Sequence, residues 1–555
     1  MTTKYVEDYR MDGSTTLSDT ATIQRAIDHL NDGDTLVFNK QPEANLDRKN
    51  GIYIIDRPIH FTSCNSFFDE EGNYKTGAGR DLSRVTIDGG GCSIMNANSF
   101  NNNSEYKNFF CLFCLSDGGG KGMFDSVISN FVFEYNDAYD IDYTDDEEKP
   151  RCTAIGVTAG VTDSPYMEGC TIRDCEFLVF DVGIRFGGDS DTVRDCYFSC
   201  CEIGINADCP NYGKIFSNRF EKCDTGLFMT KPIWSEVYSN FFHKTTGDSI
   251  AVNGTLEREV EKKNEMTNMH SSIYSNVILG NLEMYSSVSG INNQRGIYIN
   301  GVKDLIIRDN SIYNMDYIEG ETDGVTHDKL YGIGIFVGGQ AIYGIVDDDG
   351  NVYDNVRYSE RVIVSGNIIR NCKSCAIKTN YSHDCLFIGN SLYRDTVRNV
   401  YPNTEADPVD YAIYVDRQTS NHKIASNALY CYDNGNGVYK FAGSSSRVSD
   451  SSNFSEKIKT VDGTISSTNA FTICLPEDMI QDDGEYFVVS IPENYSAPTV
   501  SFVQYKSKAG LCYSKSDNDT VNLSQYSGTS VKLQYIITKS QHTEEIGIKF
   551  ICIDC

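Results

Sequence analysis

One short element recurs along the chain and limits what it can fold into. A β-branched run is followed by a polar residue, an Asn or Asp, and a second apolar run. It appears as "SVISNFVF", "CTIRDCEF", "DTVRDCYF", "KIFSNRF", "EVYSNFF", "SIYSNVI", "LIIRDNSI", "VIVSGNII", "LFIGNSL" and "KIASNAL". The turn residues are Asn130, Asp174, Asp195, Asn218, Asn240, Asn276, Asn310, Asn367, Asn390 and Asn427, with a basic spacing of 21 to 23 residues and longer gaps at insertions. That period, with about three short strands per repeat, predicts a parallel β-helix of stacked coils. Like residues then fall into columns at the strand spacing of about 4.8 Å.

A second column supports the same phase. "VGIRF", "IGINA", "TGLFM", "SIAVN", "RGIYIN", "IGIFVG", "CAIKTN" and "YAIYVD" align Gly183, Gly204, Gly226, Ser249, Gly296, Gly334, Ala376 and Ala412. We read this column as a tight turn, where small residues relieve crowding. Cysteines keep the period too: Cys175 with Cys196, and Cys201 with Cys223, are expected to stack as buried thiols.

An open solenoid end exposes unpaired edges and needs a cap. "SDTATIQRAIDHLNDGD" predicts one: Ile23, Ala26, Ile27 and Leu30 form one apolar helix face, Ser18, Asp19 and Thr20 are N-cap candidates, and Asn31-Asp32-Gly33 stops the helix. The expected order is a cap with first strands at 1–60, the β-helix at 61–445, a Ser-rich linker at 446–455 and a small C-terminal β domain at 456–555. In the last, "EYFVVSI", "VKLQYIIT" and "IGIKFICI" alternate as antiparallel strands.

Composition narrows the partners. A formal charge of −30 repels nucleic acid and anionic membrane surfaces. The N-terminus has no basic region leading into an apolar core, so no signal peptide is expected, and no run of 18 apolar residues predicts membrane insertion. The three CxxC pairs, Cys111/Cys114, Cys372/Cys375 and Cys552/Cys555, are far apart in strand-like contexts. "VDDDGN" lacks the remaining spacing and terminal Glu of a calcium loop and reads as a turn. No metal or cofactor is expected.

The chemistry that a coil stack offers is paired carboxylates. The positions before the small-residue column place Asp181, Glu202, Asp224 and Asp248 on successive coils, with Asp248 one step out of line, where Gly247 takes the column position. Adjacent coils bring backbones to about 5 Å and alternate coils to about 10 Å. Those values bracket the carboxyl separations of glycoside hydrolysis, and like charges so close push acid and base apart in pKa. Asp248, Asp224 and Glu202 are the candidate catalytic residues, although Asp at a polar turn also bonds its local backbone. Trp234 and Lys231 in "MTKPIWSEVYSN", Arg295 and His243 are candidate substrate contacts, Trp234 as a platform for a sugar ring. "TEADPVD" at 404–410, with Asp416 and Arg417, is a reserve acidic cluster.

The stretch "DGSTTLSDTATIQRAIDHLNDGDTLVF", leading into "GIYIIDRPI" and "VTIDGGGCSI", resembles the N-terminal signature of the pectate-lyase-like superfamily, especially bacteriophage tailspike depolymerases. The resemblance implies a homotrimer in the virion tail, other tail or baseplate proteins as partners, and cleavage of a bacterial capsule or O-antigen polysaccharide. The segment "SNFFHKTTGDSIAV" is similar to a polygalacturonase site segment. Asp248 keeps one aspartate of that segment, Gly247 stands for the other and Ser249 for its cysteine. Arg295 occupies the histidine position of the next coil, and Asp224 lies within one position of a further aspartate. The expected function is hydrolysis of a bacterial surface polysaccharide. The alternatives are a polysaccharide lyase, using Arg295, Lys231 or His243, and a non-catalytic glycan-binding fibre.

Overall fold

The computed structural model describes residues 2–10, 19–41, 51–56, 58–62, 80–97, 110–116, 122–135, 152–157, 167–254, 268–280, 294–315, 332–346, 352–372, 374–393, 411–415 and 419–430, together with separate strands between 439 and 553. The chain winds as a right-handed parallel β-helix with three long parallel sheets of 17, 13 and 12 strands. One coil contributes a short strand to the first sheet, turns into the second, crosses to the third and returns. Thr171–Arg173, Glu176–Leu178 and Val182–Phe186 make such a coil. Each strand pairs in register with its counterpart in the next coil, at Thr192–Arg194, Tyr197–Ser199 and Ile203–Asp208.

The interior is filled by columns of like side chains. On the second sheet, Phe133, Phe177, Phe198, Phe220 and Phe242 stack ring on ring with centroids 4.5 to 5.2 Å apart and planes within 8°. All five are buried. Branched residues continue the column at Ile278, Ile312, Ile369 and Leu392.

The Asn column is a buried hydrogen-bond ladder at the corner between the first and second sheets. The Asn218 backbone N–H and Nδ2 both donate to Asn240 Oδ1, at 3.0 and 3.1 Å. The pattern repeats from Asn240 to Asn276, Asn310, Asn367, Asn390 and Asn427. Each Nδ2 from Asn240 onward also donates to a main-chain carbonyl of the preceding coil, Ile215 in the case of Asn240.

Three residues expected in this column sit one place earlier. Asn130, Asp174 and Asp195 are exposed and left-handed, with φ of 61°, 55° and 55°. They align with Ser217, Ser239 and Ser275, which turn the corner just before each buried Asn. The inward position of the earlier coils is taken by Phe131, Cys175 and Cys196, and Cys196 N–H donates to Asn218 Oδ1. A two-residue polar turn contains one outward left-handed residue and one inward acceptor, and a pattern search aligns either. Cys175 and Cys196 therefore belong to the ladder column itself, with Cys196 Sγ donating to the Arg194 carbonyl. The cysteines whose side chains are described are free thiols, all buried except exposed Cys200 and half-buried Cys209.

The small-residue column is also real but is not a turn. Gly183, Gly204, Gly226, Gly296 and Gly334 lie within third-sheet strands. A Cβ at Gly183 would stand 2.6 Å from the Gly204 carbonyl oxygen and 2.7 Å from the Phe198 ring. Close approach of the next coil and the phenylalanine stack excludes larger side chains there.

The cap helix runs Asp19–Asp28, with Ile23, Ala26, Ile27 and Leu30 fully buried as the spacing predicts. Ser18 lies outside the described residues. Asp19 anchors the helix through Lys40, Arg10 and the Ile54 N–H. Gln24 exchanges two hydrogen bonds with the His60 backbone, and Arg80 caps the Ile27 and Leu30 carbonyls. Gly33, at φ 81°, ends the segment. Thr35–Val37, Ile52–Ile55 and Ile59–His60 already belong to the three sheets, so the coil stack begins inside the segment expected as cap. It continues to Ser449–Ser451, in register with Lys423–Ala425, within the segment expected as linker.

Backbone contacts divide the chain into two units, the second formed by 396–411, 429–440 and 454–555. In that unit Tyr486–Ser490, Ser530–Lys539 and Ile546–Ile553 form an antiparallel sheet, as their alternation predicts. Among the described residues no helix is long and apolar enough to cross a membrane.

A further column lies where the chain enters the first sheet. Ser235 Oγ accepts the Gly213 N–H and donates to the Pro210 carbonyl, and Ser271 repeats the arrangement one coil on. Asp191 holds this place two coils earlier, fully buried, and accepts the Cys170 N–H at 2.9 Å through Oδ1 while Oδ2 has no donor. Burial pushes its carboxyl up to about 8 against the Cys170 bond, and Asp189 and Glu168 add to the rise. Asp191 Oδ1 supplies the acceptor for the preceding coil's N–H that the serines supply in later coils.

Two predictions follow from these columns. Asn276→Ala strips the acceptor from both Asn240 donors and is expected to cost about 2–4 kcal/mol in denaturant unfolding. For Asp191 the folded pKa lies above the unfolded one, so its contribution is complete below the unfolded value and is lost as pH rises toward about 8. Melting temperature measured against pH is expected to fall through that window, and Asp191→Asn is expected to flatten that component.

Candidate active site

Third-sheet strands fix where the candidate acids stand. Strand register runs Val182, Ile203, Thr225 along one outward column, and Asp248 and Arg295 continue it. One place earlier, Asp181, Glu202, Asp224 and Gly247 stack coil on coil. Ile203 N–H donates to Asp181 O, Thr225 N–H to Glu202 O, and Gly247 N–H to Asp224 O at 2.8 Å.

The offset of Asp248 has a steric origin. A Cβ at position 247 would lie 2.8 Å from the Asp224 carbonyl oxygen, closer than a side chain tolerates. Glycine therefore occupies the column and the acid moves onto the strand. Thr245 and Ser249, both buried, share a 2.6 Å hydrogen bond across this turn, and buried Gln294 donates to the Thr245 carbonyl.

Asp248 meets Arg295 of the next coil as a bidentate pair. Nε donates to Oδ1 at 2.6 Å and Nη2 to Oδ2 at 2.9 Å, and each side chain is 14% exposed. The guanidinium also lies 3.6 Å from the centroid of the Tyr298 ring, a cation–π contact in a largely dry setting. Burial pushes the Asp248 carboxyl above its usual range, and the charge and hydrogen bonds of Arg295 pull the other way.

Asp224, by contrast, is exposed, and its carboxylate accepts the Thr246 hydroxyl two residues before Asp248. Glu202 is exposed one coil further away. Adjacent coils thus carry one desolvated and one solvated carboxyl, on backbones about 5 Å apart.

The remaining candidates divide between other faces. His243 lies on the outer face of the second sheet, its Nδ1 3.7 Å from Glu221. Burial raises the Glu221 carboxyl, but hydrogen bonds from Tyr197 and Arg219 hold it below its usual range. Lys231 and Trp234 lie past the far end of the third-sheet strand. Lys231 N–H donates to Asn253 O, five residues along the strand from Asp248, roughly 16 Å at 3.3 Å per residue. The width of the third sheet thus separates Trp234, the expected sugar platform, from the candidate acids.

Residues 347–351, the 404–410 cluster, Asp416 and Arg417 lie outside the described residues. No group of three metal-ligating side chains occurs among the described residues.

Sequence reading missed the surroundings of Arg295. Tyr298 and Phe336 align on the outer face, and Phe336 packs with Ile333 and Cys375 in a cluster that Tyr298 and Tyr414 border. The signal was present in "RGIYIN" and "IGIFVG", whose alternation puts the aromatic residue outside.

No family profile matches the chain, and no curated protein matches it. Solved structures of similar shape include the catalytic domain of Agl-KA, at 12% identity, covering 76% of this chain and 68% of that chain with a TM-score of 0.44. A double mutant of the tailspike protein of E. coli bacteriophage HK620, in complex with a pentasaccharide, matches at 13% identity, covering 91% of this chain and 76% of that one at 0.44. A hyperthermoactive exopolygalacturonase from Thermotoga maritima matches at 9% identity, covering 81% and 91% at 0.43. Scores at this level leave substrate and site to be read from this chain's own residues.

The Asp248–Arg295 pair is open to a direct test. Arg295→Ala strands a buried carboxylate and is expected to cost about 3–5 kcal/mol. Asp248→Leu with Arg295→Met, which fits the neighbouring aromatic cluster, is expected to recover most of that loss in a double-mutant cycle by chemical denaturation.

Proposed function

We propose that the chain is a glycoside hydrolase acting on a bacterial surface polysaccharide, with Asp248 and Asp224 as its acid–base pair. The observation that supports this reading is the contrast between the two carboxyls. Burial raises the Asp248 carboxyl against the pull of Arg295, which moves it toward the range a general acid needs. Asp224, on the adjacent coil and open to solvent, takes the complementary role of base or nucleophile. Glu202 is the alternative partner, one coil further on.

Arg295 positions Asp248 and leaves one lone pair on each carboxyl oxygen for the substrate. Its engagement disfavours the lyase reading, which needs an uncommitted base beside a uronate. The homotrimer and the location in a virion tail, implied by the tailspike resemblance, belong to the same proposal.

Asp248→Asn keeps the shape and an acceptor for Arg295 but cannot donate or take the proton. Release of new reducing ends from a panel of purified capsule and O-antigen polysaccharides is expected to fall at least about a hundredfold, with polysaccharide binding retained. Unchanged turnover would remove Asp248 from the chemistry, and an ultraviolet-absorbing unsaturated product would mean elimination.

A further inference from the structure

The corner where each coil passes from the third sheet back to the first is turned by one left-handed residue. Gly169, Ser190, Tyr212, Trp234, His270 and Asp304 hold this place in successive coils, with φ between 49° and 69°. Register is set by the bridges from Asp189 to Asn211 and on to Ile233, and by Trp234 N–H donating to the Met269 carbonyl. Glycine, aspartate and serine are unremarkable in such a turn. Tyrosine and tryptophan are not, because a bulky Cβ substituent strains the left-handed region.

Both rings stand at the surface, and among the described residues His270 alone makes a ring contact with them. Tyr212 is 57% exposed and Trp234 52% exposed. Among the described residues neither the Trp234 indole N–H nor the Tyr212 hydroxyl has a hydrogen-bond partner. Aromatic neighbours in other columns stack at 4.5 to 5.2 Å, as Phe216, Tyr238 and Tyr274 do. Tyr212 and Trp234 occupy adjacent coils yet make no ring contact. Trp234 instead rests one face on His270, with centroids 4.7 Å apart and planes at 30°. Beyond His270 the column continues through Asp304, Arg361, Asp384 and Asn421, all left-handed, with Arg361 paired bidentately to Asp304 at 2.6 and 2.8 Å.

We propose that Tyr212 and Trp234, backed by His270, form a glycan-anchoring strip separate from the cleavage site, running along the solenoid axis. It lies beyond the far end of the third-sheet strand from Asp248. Open ring faces take the C–H face of a pyranose, while the indole N–H and phenol O–H bond its hydroxyls. A nucleic-acid strand would also stack on such rings, but a chain of charge −30 repels its phosphates. The choice of glycan rests on the polysaccharide reading above.

Trp234 is the only tryptophan of the chain, so its emission reports on the strip alone. The experiment titrates the full-length Asp248→Asn protein with the same polysaccharide panel and follows emission wavelength and acrylamide quenching. A blue shift and at least tenfold weaker quenching on binding are expected. Affinity electrophoresis of Trp234→Gly with Tyr212→Asn is expected to show at least tenfold weaker binding, with a melting temperature equal to or above the parent's because the strain is relieved. Polysaccharide binding that leaves Trp234 emission unmoved, or a double variant that binds as tightly as the parent, overturns the strip. So does an emission shift with oligo(dT) and none with any glycan. Binding through the strip without cleavage by wild-type protein supports the strip and defeats the hydrolase reading. Failure to bind any glycan of the panel overturns both.

Discussion

The amide ladder from Asn218 to Asn427 is the constraint on which the rest of this fold depends. One side-chain oxygen accepts both the main-chain and the side-chain N–H of the previous coil's asparagine, and the Nδ2 also reaches back to a carbonyl. A coil that slipped by one residue would bury unpaired donors on both sides of the error. Phase is thereby fixed locally at every coil, however long the loop between them. The interval from Asn310 to Asn367, 57 residues, holds the same 3.0 Å contacts as the interval of 22 from Asn218 to Asn240. Insertions can enter the corners without disturbing the columns on which the acids stand.

Much of this was legible in the sequence because stacking makes a column visible as a period. The coil stack and the small-residue column follow from residues that must repeat, although that column lies in strands and not in the expected turn, and the cap helix follows from its own apolar spacing. What failed was phase within a turn. "RDC" and "SNR" both look like polar corners, but in the first the inward residue is Cys196 and in the second it is Asn218. Alignment by residue type joined Asp195 to Asn218, when Asp195 aligns with Ser217. Depth within the fold, not similarity of side chain, decides which residues share a column.

The site was legible along the solenoid axis and not across it. The one-step offset of Asp248 could be seen by counting. Its partner Arg295 could be located by coil and read as a solvated or carboxylate-paired arginine, but the acid it meets was hidden by a sequence separation of 47 that includes an insertion. Trp234 precedes Asp248 by about half a coil, and sequence distance says nothing of which edge of a sheet a corner turns. Strand length supplies that, and it sets the aromatic corner apart from the acids.

The offset itself shows how a repeat acquires a distinct site without breaking. At Asp181, Glu202 and Asp224 the column position tolerates a side chain, while at 247 the Asp224 carbonyl leaves room for none. Glycine satisfies the backbone, and the acid that follows inherits a strand position whose outward neighbour in the next coil is Arg295 rather than a solvated turn. The same displacement that takes Asp248 out of the carboxylate column withdraws it from water and gives it a counter-ion. Asp224, still in the column, stays at the surface. Two aspartates that strict repetition would have placed in equivalent environments are made chemically different by a single missing Cβ.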